Sequence, residues 1–588
     1  MKRPSIYNKP EHEFNQDGIS VRHIFQRIRR LTVYLHRIWA ILCFAPAFAL
    51  TTLALAESAV PQSAGIIPAP ARCEWGGGRF VLAAKTQISF ERDVAAQTAE
   101  TLRAGLKERA GLVLPLGVLS KKTDTAGAIV LGLVTNATGD VGQAEGYSLV
   151  VAPAGVVIRA PSQAGLFYGV QSLLQMVSAQ TDGPRQSVTL PAVNINDAPR
   201  FAWRGVMLDE SRHFFGKQTV EQLLDSMAYL KLNRFHWHLT DEPGWRIQIK
   251  KYPNLTKVGG RGNWSDPNAP AAFYTQADIR EIVEYARQRH IEIIPEIDMP
   301  GHATAATRAY PEISGGGTNQ WKGFTFNPAK EETYVFLENV LKEVSVLFPG
   351  KYIHLGGDEV HYGNQSWSTD PAIVKFTRDH GLTNALQLEQ YFIRRMAGAV
   401  NGLGKTTVGW DEVTATGVNP SKTIAMWWHH EKPEILTQAL EQDYPVVLCP
   451  RLPCYFDFVQ DGAHKSGRRW QGKFVPLADV YAFPDSAIGG LIPAGKETNV
   501  LGIEACLWTE QIQNRKRLNF MTYPRLAALA EAAWTPASVK NEARFLERLH
   551  GFFRELDRRH IPYFDYFHPA RTPEPPGPVK KMGGTASG

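Results

Sequence analysis

The feature that most constrains this chain is an alternation of short apolar runs and helical patterns that begins at Phe201 and spans about 350 residues. Eight runs predict strands: Gly205–Asp209, Arg234–Thr240, Glu292–Asp298, Tyr352–Gly356, Thr406–Trp410, Thr423–Trp428, Pro445–Cys449 and Leu501–Leu507. Five helical patterns lie between them: Thr219–Leu232, Gln276–Arg289, Glu331–Leu347, Ala385–Gly402 and Pro433–Gln442. This count is typical of an α/β fold with a (β/α)8 TIM barrel. An open doubly wound sheet is disfavoured, because Gly315–Gly317 does not lie between a strand and a helix start.

The residues before the barrel have a different pattern. Short runs rich in β-branched residues predict strands at Gly78–Leu82, Gln87–Phe90, Ala128–Leu133, Tyr147–Ala152 and Val156–Ala160. Helical spacing marks Thr98–Ala110 and Gly165–Val177. We therefore predict a small α+β domain over residues 57–197, followed by the catalytic barrel over 198–560. The Pro/Gly-rich segment 569–588 is predicted to be a disordered tail.

The N-terminal segment 1–56 predicts export. Four arginines (Arg27, Arg29, Arg30 and Arg37) precede the apolar run Ile38–Leu55, and Ala54-Leu55-Ala56 supplies a small-residue cleavage site. A transmembrane anchor is the alternative, but Pro46 interrupts the run and no charged stop follows it. We expect cleavage, no stable membrane insertion afterwards, and a periplasmic or secreted protein.

The distribution of charge and the cysteine content limit the kinds of partner and disulfide that the chain can have. Residues 1–56 hold eight Lys or Arg and three acids, which leaves only +2 of the net +7 for the rest of the chain. A nearly neutral body gives no reason to expect a nucleic-acid partner.

In an exported chain Cys449 and Cys454 could form a small disulfide loop, or remain as two buried thiols. The oligomeric state cannot be read from the sequence.

Polar residues follow the predicted strands, at the end where barrel enzymes place their active sites. They are mainly carboxylates and tryptophans, with one arginine and no glycine-rich loop: Asp209–His213, His238–Glu242, Glu296–His302, Asp358-Glu359, Trp410–Glu412, Trp427-Trp428, Tyr455–Asp457 and Trp508–Glu510. Acids can bridge hydroxyl groups, and Trp faces can stack on the C–H face of a pyranose ring. This set predicts a site for a neutral, polyhydroxylated ligand.

Six segments in this order and spacing resemble family 20 glycoside hydrolases, the exo-acting β-N-acetylhexosaminidases. They are WRGVMLDESRHFF, NRFHWHLTDEPGWR, PEIDMPGH, YIHLGGDEV, VGWDE and ACLWTE. The resemblance runs from about Gly65 to Trp534, since EGYSLVV and GLFYGVQSLLQM resemble that family's small N-terminal domain. It implies removal of terminal β-linked GlcNAc, or GalNAc, from oligosaccharides or glycans, with no cofactor and no metal.

The residues and the resemblance agree on the mechanism. Asp358 and Glu359 are adjacent and should point in different directions, so they suit poorly the usual pair of carboxyls facing each other across a sugar. Family 20 is a substrate-assisted exception, in which the substrate's acetamido oxygen attacks C1 and forms an oxazolinium. The resemblance implies that Glu359 is the general acid and base, that Asp358 holds the acetamido N–H, and that Tyr455 donates to the acetamido oxygen.

The remaining site residues are also implied by the resemblance. Trp410, Trp428 and Trp508 would line the acetamide pocket and the sugar ring. Arg212 would bind the 3- and 4-hydroxyls, Glu510 the 4-hydroxyl and Asp457 the 6-hydroxyl. Asp241 and His302 would form a pair behind Glu359 that orients it and raises its pKa.

Some positions depart from the family pattern or fit it less closely. Glu242 stands where many members carry a second Asp. Trp470, in a basic loop, is the candidate for a further pocket tryptophan, and register against Thr423 favours Trp428 over Trp427. Glu296 and Glu412 are expected to have ordinary structural roles.

Two other classes of function compete. His236 and His238 form an H-x-H pair at a strand end, as in metal-dependent barrel hydrolases, although here the pair is on the second strand rather than the first. Alternatively both histidines pack or form hydrogen bonds inside the barrel. A non-catalytic glycan-binding protein is the third possibility, and the intact set of Asp358, Glu359 and Tyr455 argues against it.

Overall fold

A computed structural model describes residues 65–91, 95–120 and 126–577 of the chain. The export segment 1–56 lies outside the described residues, as does 578–588. No helix in the described part is long and apolar enough to cross a membrane.

The smaller, N-terminal domain is a seven-stranded sheet with two helices. Its elements are β1 (Arg72–Ala83), β2 (Ile88–Phe90), α1 (Ala96–Ala110), β3 (Leu116–Val118), β4 (Ile129–Leu133), β5 (Tyr147–Ala152), β6 (Gly155–Ala160), α2 (Gln163–Gln180) and β7 (Ser187–Asp197). The strand order is β1-β7-β5-β6-β4-β2-β3. The apolar face of α2 is buried against this sheet, and Ser162 caps its N-terminus by accepting from the Gly165 amide.

The larger domain is a closed barrel of eight parallel strands, as predicted. Its strands are β8 (Trp203–Asp209), β9 (Arg234–His238), β10 (Glu292–Glu296), β13 (Tyr352–His354), β14 (Thr406–Trp410), β15 (Thr423–Trp427), β16 (Val446–Leu448) and β17 (Val500–Leu507). A short ribbon, β11 (Ser314–Gly316) and β12 (Thr325–Phe326), projects from the loop after β10. Several observed strands end one or two residues before the predicted ends, because the polar residues there turn out of the ladder into the site.

Helices surround the barrel. They are α3 (Lys217–Tyr229), α4 (Asn254–Lys257), α5 (Gln276–Arg287), α6 (Thr304–Ala309), α7 (Glu331–Leu347), α8 (Pro371–Asp379), α9 (Ala385–Gly402), α10 (Pro433–Glu441), α11 (Arg451–Cys454), α12 (Leu477–Ala482), α13 (Arg515–Thr522), α14 (Arg525–Trp534) and α15 (Glu542–Arg558). A Thr275–Asp278 capping box begins α5. The five helices predicted within the barrel are all present.

Buried polar contacts join the two domains. Asp197, the last residue of β7, accepts hydrogen bonds from Tyr147 (2.6 Å) and Trp534 (3.0 Å) and pairs with Lys231 (3.3 Å). A second contact is the ion pair of Arg109 with Glu555 at 2.8 Å. Because these partners come from both domains and are buried, they fix the small domain against the barrel.

The described residues correct one prediction and close one alternative. The segment 569–577 is ordered rather than a disordered tail, because the Glu574 carboxylate accepts from the backbone amides of Lys465 (2.7 Å) and Ser466 (2.9 Å). Among the described residues, Cys449 and Cys454 are buried free thiols, so the disulfide alternative is wrong in this structure.

Candidate active site

The ends of β8 and β17 are joined at the C-terminal face of the barrel. Asp209 accepts hydrogen bonds from the backbone amides of Ser211 (2.8 Å), Arg212 (3.0 Å) and Thr509 (3.0 Å). The chain therefore turns sharply after β8 and directs Arg212 into the barrel mouth. Its guanidinium lies 5.1 Å from the ring centroid of Trp508.

Two glycines and a left-handed residue shape the loop that follows β13. Gly356 has a φ of +70°, and a Cβ there would lie 1.8 Å from Asp298 Oδ1. Glu359 has a φ of +53°, which is uncommon for a residue other than glycine. This backbone makes Asp358 and Glu359 diverge. The side chain of Asp358 is 11% exposed and that of Glu359 is 30% exposed, so Asp358 lies deeper.

His302 lies between two pairs of carboxylates. Its Nδ1 is 3.0 Å from both Asp241 and Glu242, and its Nε2 is 3.5 Å from Asp358 and 3.7 Å from Glu359. Burial opposes protonation, but the surrounding carboxylates, Asp241 foremost, raise the pKa of His302 well above its usual range. These carboxylates favour the imidazolium form of His302. Like Glu359, His302 occupies a left-handed backbone conformation, with a φ of +51°.

The electrostatics correct one expectation about Glu359. Burial and the neighbouring Asp358 and Glu242 carboxylates raise the pKa of Glu359, whereas the positive charges of His302 and Arg212 lower it. The raised pKa therefore comes from desolvation and like charge. The structure brings His302 and Asp241 together beside Glu359, but His302 acts against the upward shift that was expected of this pair.

We predict that His302→Asn moves the basic limb of the pH profile to higher pH and lowers kcat. Asn tolerates the left-handed backbone, and loss of the positive charge should raise the pKa of Glu359 further. A general acid must be protonated to act, so its activity persists to higher pH when its pKa rises. The measurement is kcat/KM against pH, with exposed His380→Asn as the control. A basic limb that stays in place or moves to lower pH would refute the electrostatic role of His302.

Arg212 forms ion pairs with two neighbouring acids. Its Nη1 lies 2.6 Å from Asp241 and its Nη2 lies 3.5 Å from Glu242. Glu242, which departs from the family pattern, thus contacts both Arg212 and His302. Burial and the adjacent Asp241 raise the pKa of Glu242.

The predicted aromatic residues fall into two groups. Trp508 lies near Trp410 (centroids 5.8 Å apart) and Tyr455 (6.1 Å), so these three rings form one wall. Trp428 donates to Glu412 at 3.1 Å, and the Arg451 guanidinium lies 4.8 Å from the Trp428 ring and 4.2 Å from the Trp470 ring. Burial, Asp411 and Asp358 raise the pKa of Glu412 well above its usual range.

Asp457 and Glu510 are joined by a residue that the sequence did not single out. Arg468 lies 3.0 Å from Asp457 and 3.2 Å from Glu510. Burial raises the pKa of Asp457 to about 6, although Arg468 acts in the opposite direction. Only the basic character of the loop 465–470 could have drawn attention to Arg468.

A buried chain of acids and histidines continues below the site. His236 bridges Glu504 (2.9 Å) and Glu296 (3.0 Å), while His238 contacts Glu296 and lies 2.8 Å from Asp241. Burial lowers the pKa of His236, but Glu296 and Glu504 outweigh it and raise that pKa to about 9. Both histidines therefore face a carboxylate with each ring nitrogen, which favours the hydrogen-bonding interpretation of the H-x-H pair over the metal interpretation.

Glu296 is the centre of this chain, which is a structural role of the kind expected for it. It also accepts from Trp410 Nε1 (3.0 Å), and His354 Nδ1 lies 3.0 Å away. It therefore connects a wall of the site to the barrel interior. Several of the buried acids and histidines lie close enough together to bind a cation, including the set of His236, Glu296 and His354. Within this set Glu296 contacts both histidines directly, His236 through Nε2 (3.0 Å) and His354 through Nδ1 (3.0 Å).

We predict that Glu296→Gln lowers the free energy of unfolding by about 3 kcal/mol, because it leaves buried His236 and His238 short of counter-charge. Glu292→Gln on the same strand is the control. Its ion pair with Arg234 is long (3.8 Å) and partly exposed, so its loss should cost less than about 1 kcal/mol. Urea unfolding measures both. Equal stabilities of the two variants would contradict the role given to Glu296.

The fold and the site together define a class. A (β/α)8 barrel whose mouth holds paired acids, an arginine and neighbouring aromatic rings suits a glycoside hydrolase. The comparisons agree: residues 201–537 match the sequence profile of glycosyl hydrolase family 20, catalytic domain, and residues 63–198 match family 20, domain 2. The chain belongs to glycosyl hydrolase family 20.

Individual relatives are named β-hexosaminidases. A β-hexosaminidase of Porphyromonas gingivalis is 36% identical over 512 residues, which cover 85% of this chain and 64% of the relative, so the chain spans just under two thirds of that protein. A β-hexosaminidase of Vibrio furnissii is 34% identical over 79% of this chain and 76% of its own length. These matches confirm the resemblance drawn from the six segments.

Comparison with solved structures shows that the similarity includes the fold. The exo-β-N-acetylglucosaminidase of Vibrio harveyi, in complex with N-acetylglucosamine, has a TM-score of 0.76 at 30% identity, over 85% of this chain and 78% of that chain. A mutant β-hexosaminidase of Streptomyces plicatus, in complex with GlcNAc as product, has a TM-score of 0.73 at 31% identity, over 85% and 96% of the two chains.

Proposed function

We propose that this chain is an exo-β-N-acetylhexosaminidase that releases terminal non-reducing β-linked GlcNAc from oligosaccharides or glycans by a retaining, substrate-assisted mechanism. The observation that carries the proposal is the pairing of two adjacent acids at different depths. Asp358 Oδ1 is buried without a hydrogen-bond partner among the described residues, while Glu359 is more exposed and has a raised pKa. An orphaned buried acceptor beside a protonated acid suits a ligand N–H next to a leaving oxygen.

The first step breaks the glycosidic bond. Asp358 accepts the acetamido N–H and Tyr455 donates to the acetamido oxygen, which attacks C1. Glu359 gives its proton to the leaving oxygen as the C1–O bond breaks, and the aglycone departs as an alcohol. The positive charge of the oxazolinium then lies beside the Asp358 carboxylate, which stabilises it.

The second step restores the enzyme. Glu359, now a carboxylate, takes a proton from water, the water oxygen bonds to C1, and the oxazolinium C1–O bond breaks. The acetamido group is regenerated and the product keeps the β configuration. Two inversions at C1 give overall retention without any enzyme nucleophile.

The hydroxyl-binding residues support exo action. Arg212, Asp457 and Glu510 would clamp the 3-, 4- and 6-hydroxyls of the terminal sugar, and Trp410, Trp428, Trp470 and Trp508 would line its ring and acetamide. GalNAc is included in the proposal because the acetamide contacts are common to both sugars. Chitooligosaccharides and N-acetylhexosamine-terminated glycans are the proposed substrates.

The test is hydrolysis of p-nitrophenyl β-GlcNAc, β-GalNAc and β-glucoside, each with and without EDTA. We expect release from the N-acetyl substrates only, unaffected by EDTA. Equal release from the glucoside would overturn the acetamido nucleophile. EDTA-sensitive activity restored by zinc would return His236 and His238 to the metal interpretation. Binding of GlcNAc without turnover would favour a glycan-binding protein.

We also propose that the protein is exported through cleavage after Ala56, on the evidence of the arginines, apolar run and cleavage site in residues 1–56. N-terminal sequencing of the mature protein, with fractionation of cells, tests this. A mature chain beginning at Glu57 outside the cytoplasm is expected, and an uncleaved membrane-bound chain would contradict the proposal.

A further inference from the structure

Two aromatic side chains are stacked at the rim of the site, and no step of the proposed reaction uses them. Trp321 and Tyr362 have ring centroids 6.3 Å apart and ring planes only 23° from parallel. Tyr362 is 43% exposed, and Trp321 is partly exposed. Exposed aromatic rings that stack on each other rather than pack into a core present apolar surface to a ligand.

Tyr362 lies beside the general acid, and Trp321 is connected to the site through Phe324. Tyr362 ends the single turn Val360–Tyr362 that directly follows Glu359, and its backbone amide donates to the Glu359 carbonyl at 3.0 Å. Trp321 packs on Phe324 (5.7 Å between centroids), which in turn packs on His302 (4.8 Å). The ring pair is thus on the Glu359 side of the barrel mouth.

Charged groups of the site act on the Tyr362 hydroxyl. The nearby Glu359 carboxylate is the main influence that raises the pKa of Tyr362, and Arg451, His302 and Arg468 act in the opposite direction. These groups come from different barrel loops that surround the mouth. Their combined influence on one hydroxyl agrees with a Tyr362 ring that borders the entrance to the site.

The loops that carry the two rings are joined to each other. Ser366 donates to the Gly315 carbonyl at 2.8 Å, and Trp367 donates through Nε1 to Thr325 at 3.0 Å. A Cβ at Gly317 would lie 1.9 Å from the Trp321 carbonyl oxygen, so this glycine permits a tight turn under the tryptophan. The ring pair is therefore preorganised, and binding would require little ordering of loops.

The proposed chemistry determines what can lie against these rings. Glu359 must meet the leaving oxygen, whereas the deeper Asp358 meets the acetamide of the terminal sugar. The sugar attached through the scissile oxygen consequently extends outward past Glu359. The flat C–H face of a pyranose matches an exposed aromatic surface in that position.

We propose that Trp321 and Tyr362 form a platform that binds the aglycone sugar, the pyranose linked through the scissile oxygen. The platform favours β-linked oligosaccharides over GlcNAc that carries a small aliphatic aglycone. This inference rests on the proposed function and names the part of its substrate that lies outside the terminal-sugar pocket.

The test compares kcat/KM for N,N′-diacetylchitobiose and for methyl β-GlcNAc, with released GlcNAc measured by chromatography. In Trp321→Ala the ratio of the two values is expected to fall up to about tenfold, which corresponds to about 1.4 kcal/mol for the lost ring contact. Tyr362→Ala should lower the ratio less, and Trp321→Phe should retain most of it because a ring remains.

Tyr566→Ala is the matched control, because Tyr566 is an exposed aromatic residue near the C-terminus that contacts Phe567 and lies outside the site. Its ratio should match that of the wild type. An unchanged ratio in both Trp321→Ala and Tyr362→Ala, or equal losses on the two substrates, overturns the platform alone. If the wild type hydrolyses neither substrate, the proposed function fails, and the platform fails with it. Tyr362→Ala keeps the test decisive if Trp321→Ala does not fold.

Discussion

Glu359→Gln is expected to lower kcat for N,N′-diacetylchitobiose on the order of 10³-fold, because glutamine cannot protonate the leaving sugar oxygen. The loss should be far smaller for the first step on p-nitrophenyl β-GlcNAc, since p-nitrophenolate departs without a proton. Single-turnover and steady-state rates on both substrates separate the acid role from the later base role. The side chain is partly exposed and the replacement is nearly isosteric, so the fold should be unaffected.

Exposed Glu434→Gln on α10 is the control, and it should leave both rates unchanged. Two results would remove Glu359 from the acid role. One is a Glu359→Gln enzyme that retains activity on the chitobiose. The other is an equal loss on the two leaving groups.

Asp358→Asn is expected to lower kcat about 10²- to 10³-fold and to reduce the preference for N-acetyl substrates. The amide cannot offset the positive charge of the oxazolinium, and its own N–H would face that of the acetamide. A second readout is independent of the substrate: since the Asp358 charge raises the pKa of Glu359, its removal should move the basic limb of the pH profile to lower pH.

The same replacement should not destabilise the protein. Asp358 is buried near Asp298 and Glu412, and its charge helps to raise the pKa of both acids. Removing one of several crowded carboxylates relieves repulsion in the folded state. We therefore expect an equal or higher melting temperature for Asp358→Asn. A lower melting temperature together with unchanged kcat would show that Asp358 is structural rather than part of the reaction.

The eight strands of the barrel could be predicted because parallel strands covered on both faces give continuous apolar runs. β7 was missed because Pro191 lies within it, and a proline argues against an interior strand. The structure accommodates Pro191 opposite Arg79, where the register of β1 shifts by a bulge. Such an irregularity in the partner strand leaves no signal in the sequence of β7 itself.

The residues of the site also divide into those that could be predicted from the sequence and those that could not. Residues that follow strand ends, such as Asp358, Glu359 and Asp241, could be placed from their position and from the resemblance. Arg468 could not, because it reaches Asp457 and Glu510 from a long loop without periodicity. Glu296 was expected to be structural, but its partners could not be predicted, because they come from several strands and only the closed barrel brings them together.

In the proposed mechanism the substrate's own acetamide is the nucleophile. The most direct measurement is kcat/KM for p-nitrophenyl glycosides of glucosamine whose N-acetyl group carries zero, one, two or three fluorines. Fluorine withdraws electrons from the carbonyl oxygen, so we expect a steep, progressive fall in rate with each fluorine added. A rate that is independent of fluorination would contradict substrate assistance and would require a nucleophile supplied by the protein.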